Sequence, residues 1–295
     1  MSSQPSPTAP TALLGPQRFS TTAGQVARSL APEGRIATIT AGWRERESED
    51  AELHEVLEER TYNLRLYTRL LDVIDKDLPF ARAARSYNEA VDELAAVYSI
   101  RIQRTLDTVY ALERRHVREA IADAALDDLR AELDGPIGDS EVIAYHRATV
   151  SGILGDSSAV AITGGHVGIL LRTMQLFVEP LPAALPTIAW SAGAMVLTDR
   201  VVLYNDLGPQ GFHGAEVWSR GLGRVPDVLA LPHARRRLKV DDPMTVQVFV
   251  RRFAPAVSLL LDDGARVVIG PYRVIPEGAK VFTDHGTIGT VGGLP

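Results

Sequence analysis

One serine of the sequence stands at the end of an apolar run and is followed directly by very small residues. The run Thr187–Trp190 ends at Ser191, which precedes Ala192, Gly193 and Ala194. A serine hydroxyl is a poor nucleophile unless a neighbouring base takes its proton and N–H groups stabilise the oxyanion. A sharp turn from a strand into a helix exposes the hydroxyl and presents the next residue's N–H beside it. The stretch therefore predicts either a nucleophile elbow, with Ala192 as an oxyanion donor, or an ordinary tight turn.

Two further strand ends carry residues that would complete such a site. The apolar run Ala159–Thr163 leads into Gly164–His166, where glycine permits positive φ and lets a backbone N–H face a ligand. His233 follows the apolar run VLAL and a proline, so among the seven histidines it is the best placed general base. Ligands of open α/β sheets bind outside the carboxyl ends of the strands, so we expect these segments to share one crevice. His166 is either a substrate contact or a capping residue.

The carboxylate that would orient the histidine has several candidates. Asp206 follows Ser191 by 206 − 191 = 15 residues and is the first of them. Its competitors, which the sequence does not rank, are Glu216, Asp227, Asp262 and Asp263. Arg235 belongs to an arginine run directly after His233, and guanidinium groups bind carboxylates in bidentate geometry. That run predicts either a contact with a substrate carboxylate or a solvated surface.

The composition excludes several classes of function. The 295 residues are 45% hydrophobic, which is enough for a sizeable core, and the net charge of −6 lacks the basic footprint of a nucleic-acid-binding protein. There are no cysteines, so disulfides, thiolate metal sites and a cysteine nucleophile are excluded. No apolar run reaches the length of about 18 residues that a spanning helix needs. We expect a cytoplasmic protein with no metal, no cofactor and no membrane partner.

The pattern along the chain predicts an α/β protein with a large helical insertion. Residues 1–30 are rich in Ser, Thr, Pro and Ala and are expected to form a disordered leader before a single domain over 31–295. The first predicted strand is Arg35–Thr40. Residues from about 48 to 135 contain almost no glycine or proline and repeat apolar residues at helical spacing, so they predict the insertion. After it, strands alternate with helices, which indicates a doubly wound, mainly parallel sheet.

Four segments in this order resemble the S51 family of serine peptidases. They read GGHVGILLRTM, WSAGAMVLTD, LPHARRRL and LLLDDGARVVI, and the similarity covers about residues 35–43 and 142–282. The family includes dipeptidase E and cyanophycinase, and its fold resembles that of the class I glutamine amidotransferases. The resemblance implies a set of roles: Ser191 as nucleophile, His233 as base, Asp206 as acid, Gly165 and Ala192 as oxyanion donors, and His166 as a substrate contact. The HARRRL segment and the long insertion depart from the family pattern.

The resemblance implies a serine-dependent hydrolase of peptide or amide bonds that works through an acyl-enzyme. Its substrate would be a small peptide or amide, and acidic, aspartyl-type peptides would suit the arginine run. One alternative is a noncatalytic binding or assembly protein that uses the helical insertion for its contacts. Another keeps hydrolysis but directs it to esters or nonpeptide amides. The insertion is open to two interpretations, a lid over the site or a homodimer surface.

Overall fold

The computed structural model describes residues 8–86, 89, 137–138, 140–205, 213–238 and 240–292. The chain divides into two units, one formed by Met1–Thr68 with Ala148–Pro295 and the other by Arg69–Arg147. The strands are β1 (Thr11–Leu14), β2 (Ile36–Ile39), β3 (Thr61–Asn63), β4 (Ala159–Ile162), β5 (Thr187–Trp190), β6 (Arg200–Asn205), β7 (His213–Arg220), β8 (Val228–Pro232), β9 (Val257–Leu261), β10 (Arg266–Ile269), β11 (Lys280–Phe282) and β12 (Ile288–Thr290). The described part of the chain forms the α-helices α1 (Ala23–Leu30), α2 (Ala51–Val56), α3 (Leu66–Lys76), α4 (Glu141–Gly155), α5 (Val167–Phe177), α6 (Ala192–Val196), α7 (Ala234–Arg237) and α8 (Pro243–Phe253), and Ala41–Arg46 is a 3-10 helix.

The central sheet of the first unit is mainly parallel. Its strand order is β10-β1-β5-β4-β2-β3, and only β10 runs antiparallel to its neighbour. Every residue of β1, β2, β4 and β5 is buried, which explains why these strands read as continuous apolar runs without alternation. The predicted mixed α/β class with a mainly parallel central sheet is confirmed. Within the described residues, no helix has the length and apolar character needed to cross a membrane.

The N-terminal segment corrects one expectation. Strand β1 lies between β10, which forms one edge of the sheet, and β5, and its Ala12, Leu13 and Leu14 are fully buried. Helix α1 follows it and buries Val26 and Ala27 in the cluster beneath this sheet. The expected disordered leader over 1–30 is therefore wrong for residues 11–30. A four-residue strand buried on both faces has no period that a sequence pattern can detect.

The start of the helical insertion is also corrected. The strand that was expected to be first, over Arg35–Thr40, is β2, the second strand along the chain. Residues after 48 form α2 and then β3, which pairs in parallel with β2 at the sheet edge, so they belong to the main sheet. The separate unit begins at Arg69, and within it His146 shares hydrogen bonds of 2.9 Å with both Arg69 and Asp72. Residues 90–136 of the expected insertion lie outside the described part.

A second sheet of the same unit has the strand order β12-β11-β9-β8. Strands β8 and β9 run parallel, with Pro232 opposite Leu261, so both end at the same level. Helix α8 begins at an Asp242 cap and buries Phe249 and Phe253 in the core of this sheet. The remaining strands, β6 and β7, form a hairpin. The register of β8 and β9 decides which residues surround His233.

Truncating β1 tests whether the N-terminal segment is structural. We expect Leu13→Ala to lower the free energy of unfolding by about 2–5 kcal/mol, because it leaves a cavity in a packed sheet. Phe19→Ala, at a side chain that is 74% exposed, is the matched control and should change it by less than about 0.5 kcal/mol. Denaturant titration measures both. Equal, negligible effects would support the disordered leader instead.

Candidate active site

Ser191 lies at a sharp turn between β5 and α6. Its backbone has φ 53° and ψ −124°, a conformation that costs a residue with a side chain on the order of 1–3 kcal/mol. The residue is only partly buried, and its side chain makes no hydrogen bond within the described residues. The N–H groups of Ala194 and Met195 donate to the Ser191 carbonyl and start the helix. The turn therefore leaves the hydroxyl accessible while its backbone is held on both sides.

Small residues allow the elbow to approach the neighbouring strand. A Cβ added to Gly193 would overlap the carbonyl oxygen of Ile162 and would lie 2.8 Å from that of Thr163. Glycine is therefore required where α6 passes the end of β4. Trp190, directly before the serine, is 7% exposed and packs in the cluster beneath the sheet with Leu14. This packing holds the end of β5 in place.

The loop after β4 lies against the Ser191 side chain. A Cβ added to Gly164 would lie 2.8 Å from the Ser191 Cβ and 3.0 Å from its Oγ. Gly165 has φ +117° and packs on Gly42, whose carbonyl accepts a 2.7 Å hydrogen bond from the His166 N–H. The segment around Gly42, which follows β2, was not recognised from the sequence as part of the site. Its signal was the Ala41-Gly42 pair directly after a buried strand.

Two backbone donors are available near the hydroxyl. Among the described residues, the N–H groups of Ala192 and Gly165 donate to no acceptor. Ala192 follows Ser191 directly, and Gly165 follows Gly164, where an added Cβ would lie 3.0 Å from the Ser191 Oγ. This placement suits stabilisation of a negative charge that develops on a substrate oxygen beside the serine.

His166 caps the helix that follows the glycine loop. Its Nδ1 accepts a 3.2 Å hydrogen bond from the Ile169 N–H at the start of α5. The capping alternative is thereby confirmed. Because Nδ1 is the acceptor, the neutral ring carries its proton on Nε2. The residue is exposed, so a contact of Nε2 with substrate stays a prediction.

His233 lies directly after β8 and is partly buried. It adopts a left-handed conformation with φ 55°, and its N–H donates to the Leu261 carbonyl at 3.2 Å. Burial lowers the pKa of His233, and the nearby carboxylate of Asp263 opposes part of that effect. A pKa below the ordinary value of about 6.5 leaves the imidazole neutral at pH 7. A neutral ring is the form that a general base requires.

The acids differ in their relation to His233. Asp262 and Asp263 follow β9, and both carboxylates act electrostatically on the imidazole. Asp227 precedes β8, which places it at the opposite end of the strand from His233. Asp206 lies outside the described residues, so its role as the orienting acid stays a prediction.

Arg235 is engaged by an acid of the same chain. Its N–H donates to Asp262 Oδ1 at 3.0 Å, and its Nε lies 3.7 Å from Oδ2. The structure therefore provides a partner for this arginine that the sequence did not identify. A contact of Arg235 with a substrate carboxylate stays a prediction.

Strand register brings the serine and the histidine to one end of the sheets. Leu14 pairs with Trp190 in parallel, so Gly15 lies beside Ser191. A Cβ added to Gly15 would overlap the carbonyl oxygen of Asp262. Asp262 directly follows Leu261, which pairs with Pro232, the residue before His233. No hydrogen bond joins the Ser191 hydroxyl to His233 in the described part of the chain. Catalytic hydrogen bonds are often long in proteins without ligand and shorten when substrate binds.

Comparison with known proteins finds distant structural similarity. No protein-family model matches the chain, and no curated protein sequence matches it. Among the similar solved structures, a crystal structure of a peptidase from an acI-B1 Actinobacterium is similar over 90% of this chain and 84% of that chain, with 15% identity and a TM-score of 0.46.

A methyl group at position 193 tests the close approach of the elbow to β4. We expect Gly193→Ala to lower the free energy of unfolding by about 1–3 kcal/mol, because the Cβ meets two backbone carbonyls that cannot rotate away. Gly152→Ala, in α4 where nothing lies within 4 Å of the new Cβ, is the matched control and should be neutral or stabilising. Chemical denaturation compares the two. An undisturbed Gly193→Ala protein would contradict the packing.

Proposed function

We propose that the protein is a serine-dependent hydrolase of peptide or amide bonds, with Ser191 as the nucleophile. The observation that carries the proposal is the Ser191 backbone at φ 53° and ψ −124°, at a strand-to-helix turn where the hydroxyl makes no hydrogen bond among the described residues. Strain of this kind persists only where the surroundings enforce it, and it is concentrated at functional sites. The glycine loop beside the hydroxyl and the free N–H groups of Ala192 and Gly165 support the same chemistry.

The proposed reaction has two halves. In the first, Ser191 Oγ attacks the substrate carbonyl carbon while a ring nitrogen of His233 accepts the hydroxyl proton. The oxyanion of the tetrahedral intermediate accepts hydrogen bonds from Ala192 and Gly165, and its collapse releases the amine, which takes the proton from His233. In the second half, water loses a proton to His233 and attacks the acyl-enzyme, and Ser191 is regenerated as the acid product leaves.

There are two alternatives for the acid that orients His233: Asp206, or one of the neighbouring pair Asp262 and Asp263. Asp206 is the choice that the S51 resemblance implies. Asp262 and Asp263 are the acids whose charges act on His233 among the described residues. Asp262 is also bound by Arg235, whereas Asp263 is exposed. The Asp263→Asn variant described below tests Asp263 separately from Asp206 and Asp262.

We extend the proposal to membership of the S51 family, with its class I glutamine amidotransferase-like fold and a small peptide as substrate. What supports it is the order of the elements: a glycine loop after one parallel strand, the serine elbow after the next, and a histidine at a later strand end. An acidic substrate receives less support, because Arg235 already contacts Asp262. A noncatalytic binding protein is the outcome that the next experiment would reveal.

Labelling with a fluorophosphonate probe tests the nucleophile. We expect one probe per chain, mapped by mass spectrometry to Ser191, because this serine combines an accessible hydroxyl with neighbouring oxyanion donors. Ser191→Ala should abolish both labelling and amide hydrolysis with unchanged circular dichroism. Ser48→Ala, at an exposed serine, is the matched control and should react like the original protein. No labelling of the folded protein would favour a noncatalytic role.

The pH dependence of kcat/KM tests the base. Protonation of His233 inactivates a general base, so activity should fall on the acid side with an apparent pKa below the ordinary histidine value. Asp263 favours the protonated ring, so Asp263→Asn should move this acid limb to still lower pH. Asp284→Asn, at an exposed acid elsewhere, is the control and should leave it in place. A limb that stays fixed or rises in Asp263→Asn would exclude this assignment.

A further inference from the structure

A buried arginine lies at the end of the central sheet opposite to Ser191. Arg224 is 8% exposed and donates from Nε to Thr11 Oγ1 at 3.0 Å, from Nη1 to the Pro182 carbonyl at 3.1 Å and from Nη2 to the Leu185 carbonyl at 2.7 Å. Thr11 begins β1, and Leu185 shortly precedes β5. The guanidinium therefore lies at the amino ends of two strands whose carboxyl ends flank the elbow.

The positive charge of Arg224 has no counter-charge in the described residues. Its three acceptors are neutral oxygens, and no carboxylate of the described ranges forms an ion pair with it. Burial and, to a smaller extent, the positive charge of the neighbouring Arg273 together lower the pKa of Arg224 to about 10. Buried charges in proteins are normally paired, so this arrangement is costly as it stands. Two of the five guanidinium N–H groups remain for a ligand.

Arg273 lies beside this group in an unfavourable backbone conformation. Strand β10 pairs Ile269 with Thr11, and the turn that follows is closed by an N–H donated from Arg273 to the Gly270 carbonyl at 3.0 Å. Arg273 has φ 59°, which costs a residue with a side chain about 1–2 kcal/mol. Its Nε is buried and has no hydrogen-bond partner among the described residues. A glycine would suit the turn better, so an arginine here indicates a use for its side chain.

The turn that carries Arg273 is open to solvent. Its neighbours Tyr272 and Val274 are 76% and 69% exposed, and Arg273 itself is partly exposed. Two backbone hydrogen bonds fix the N-terminal segment beside this turn. The Thr8 N–H donates to the Pro271 carbonyl, and the Ala9 N–H donates to the Ala183 carbonyl. These two bonds hold the turn and the loop before β5 against the same N-terminal segment.

We propose that Arg224 and Arg273 form a binding site for a small doubly charged oxyanion of the phosphate or sulfate class. Guanidinium groups present planar N–H forks that match the oxygens of such anions. A dianion balances both positive charges, whereas a single carboxylate leaves one unbalanced. The bound anion connects the loop before β5, the start of β1 and the turn after β10. The site is separate from Ser191 and does not depend on the hydrolase proposal.

Calorimetric titration of the full chain with inorganic phosphate, at constant ionic strength against chloride, tests the site. We expect binding together with a rise in the thermal unfolding midpoint, because a ligand that binds only the folded state stabilises it. Arg273→Gln removes one charged donor set and should weaken binding by roughly tenfold or more. Arg251→Gln, at an exposed arginine of α8, makes the same charge change and should bind phosphate like the original protein.

Two further titrations define the ligand. Phenyl phosphate in place of phosphate shows whether a phosphate monoester is accepted as well as the free ion, and acetate should bind much more weakly than either. Phosphate also stabilises proteins through exclusion from their surface, but that effect would be equal in Arg273→Gln. No binding heat with the original protein, equal binding by Arg273→Gln, or acetate binding as tight as phosphate would each overturn the proposal.

Discussion

The close approach of the elbow helix to the end of β4 is the constraint on which the site depends. Gly193 passes directly over the carbonyls of Ile162 and Thr163, and Gly164 lies against the Ser191 side chain. Both contacts exclude even a methyl group. They hold the serine in a backbone conformation that an unsupported chain would leave, and they set the glycine loop beside the hydroxyl. The strain at Ser191 is therefore balanced by packing on both sides of the turn.

Parallel pairing supplies the rest of the geometry. Because β1, β5 and β4 run in the same direction, their carboxyl ends meet at one edge, and Gly15 and the glycine loop come to flank Ser191. The same rule applies to β8 and β9, whose register sets His233 next to Asp262. The contact between Gly15 and Asp262 links the two sheets at this edge. At the opposite, amino-terminal ends of β1 and β5, Arg224 donates to Thr11 Oγ1 and to the Leu185 carbonyl.

The sequence predicted the elements whose pattern is local. Strand β5 has the expected bounds, and the turn at Ser191 follows from an apolar run that meets very small residues. It failed for β1, because four buried residues between prolines carry no period, and for β3, which has only three residues. Segments of this length gain their structure from neighbouring strands, which a local pattern does not contain.

For the site, the sequence placed Ser191, Gly165 and His233 after strand ends, which the structure shows, but it did not indicate what surrounds them. The pairing of Arg235 with Asp262 depends on the register of two strands, so it could not be predicted from spacing. The most direct test of the account is a crystal structure of the protein after reaction with a phosphonate inhibitor. We predict a bond from phosphorus to Ser191 Oγ, with a phosphonyl oxygen roughly 2.7–3.1 Å from the backbone nitrogens of Ala192 and Gly165. An adduct on another residue, or an oxygen turned away from both nitrogens, would contradict it.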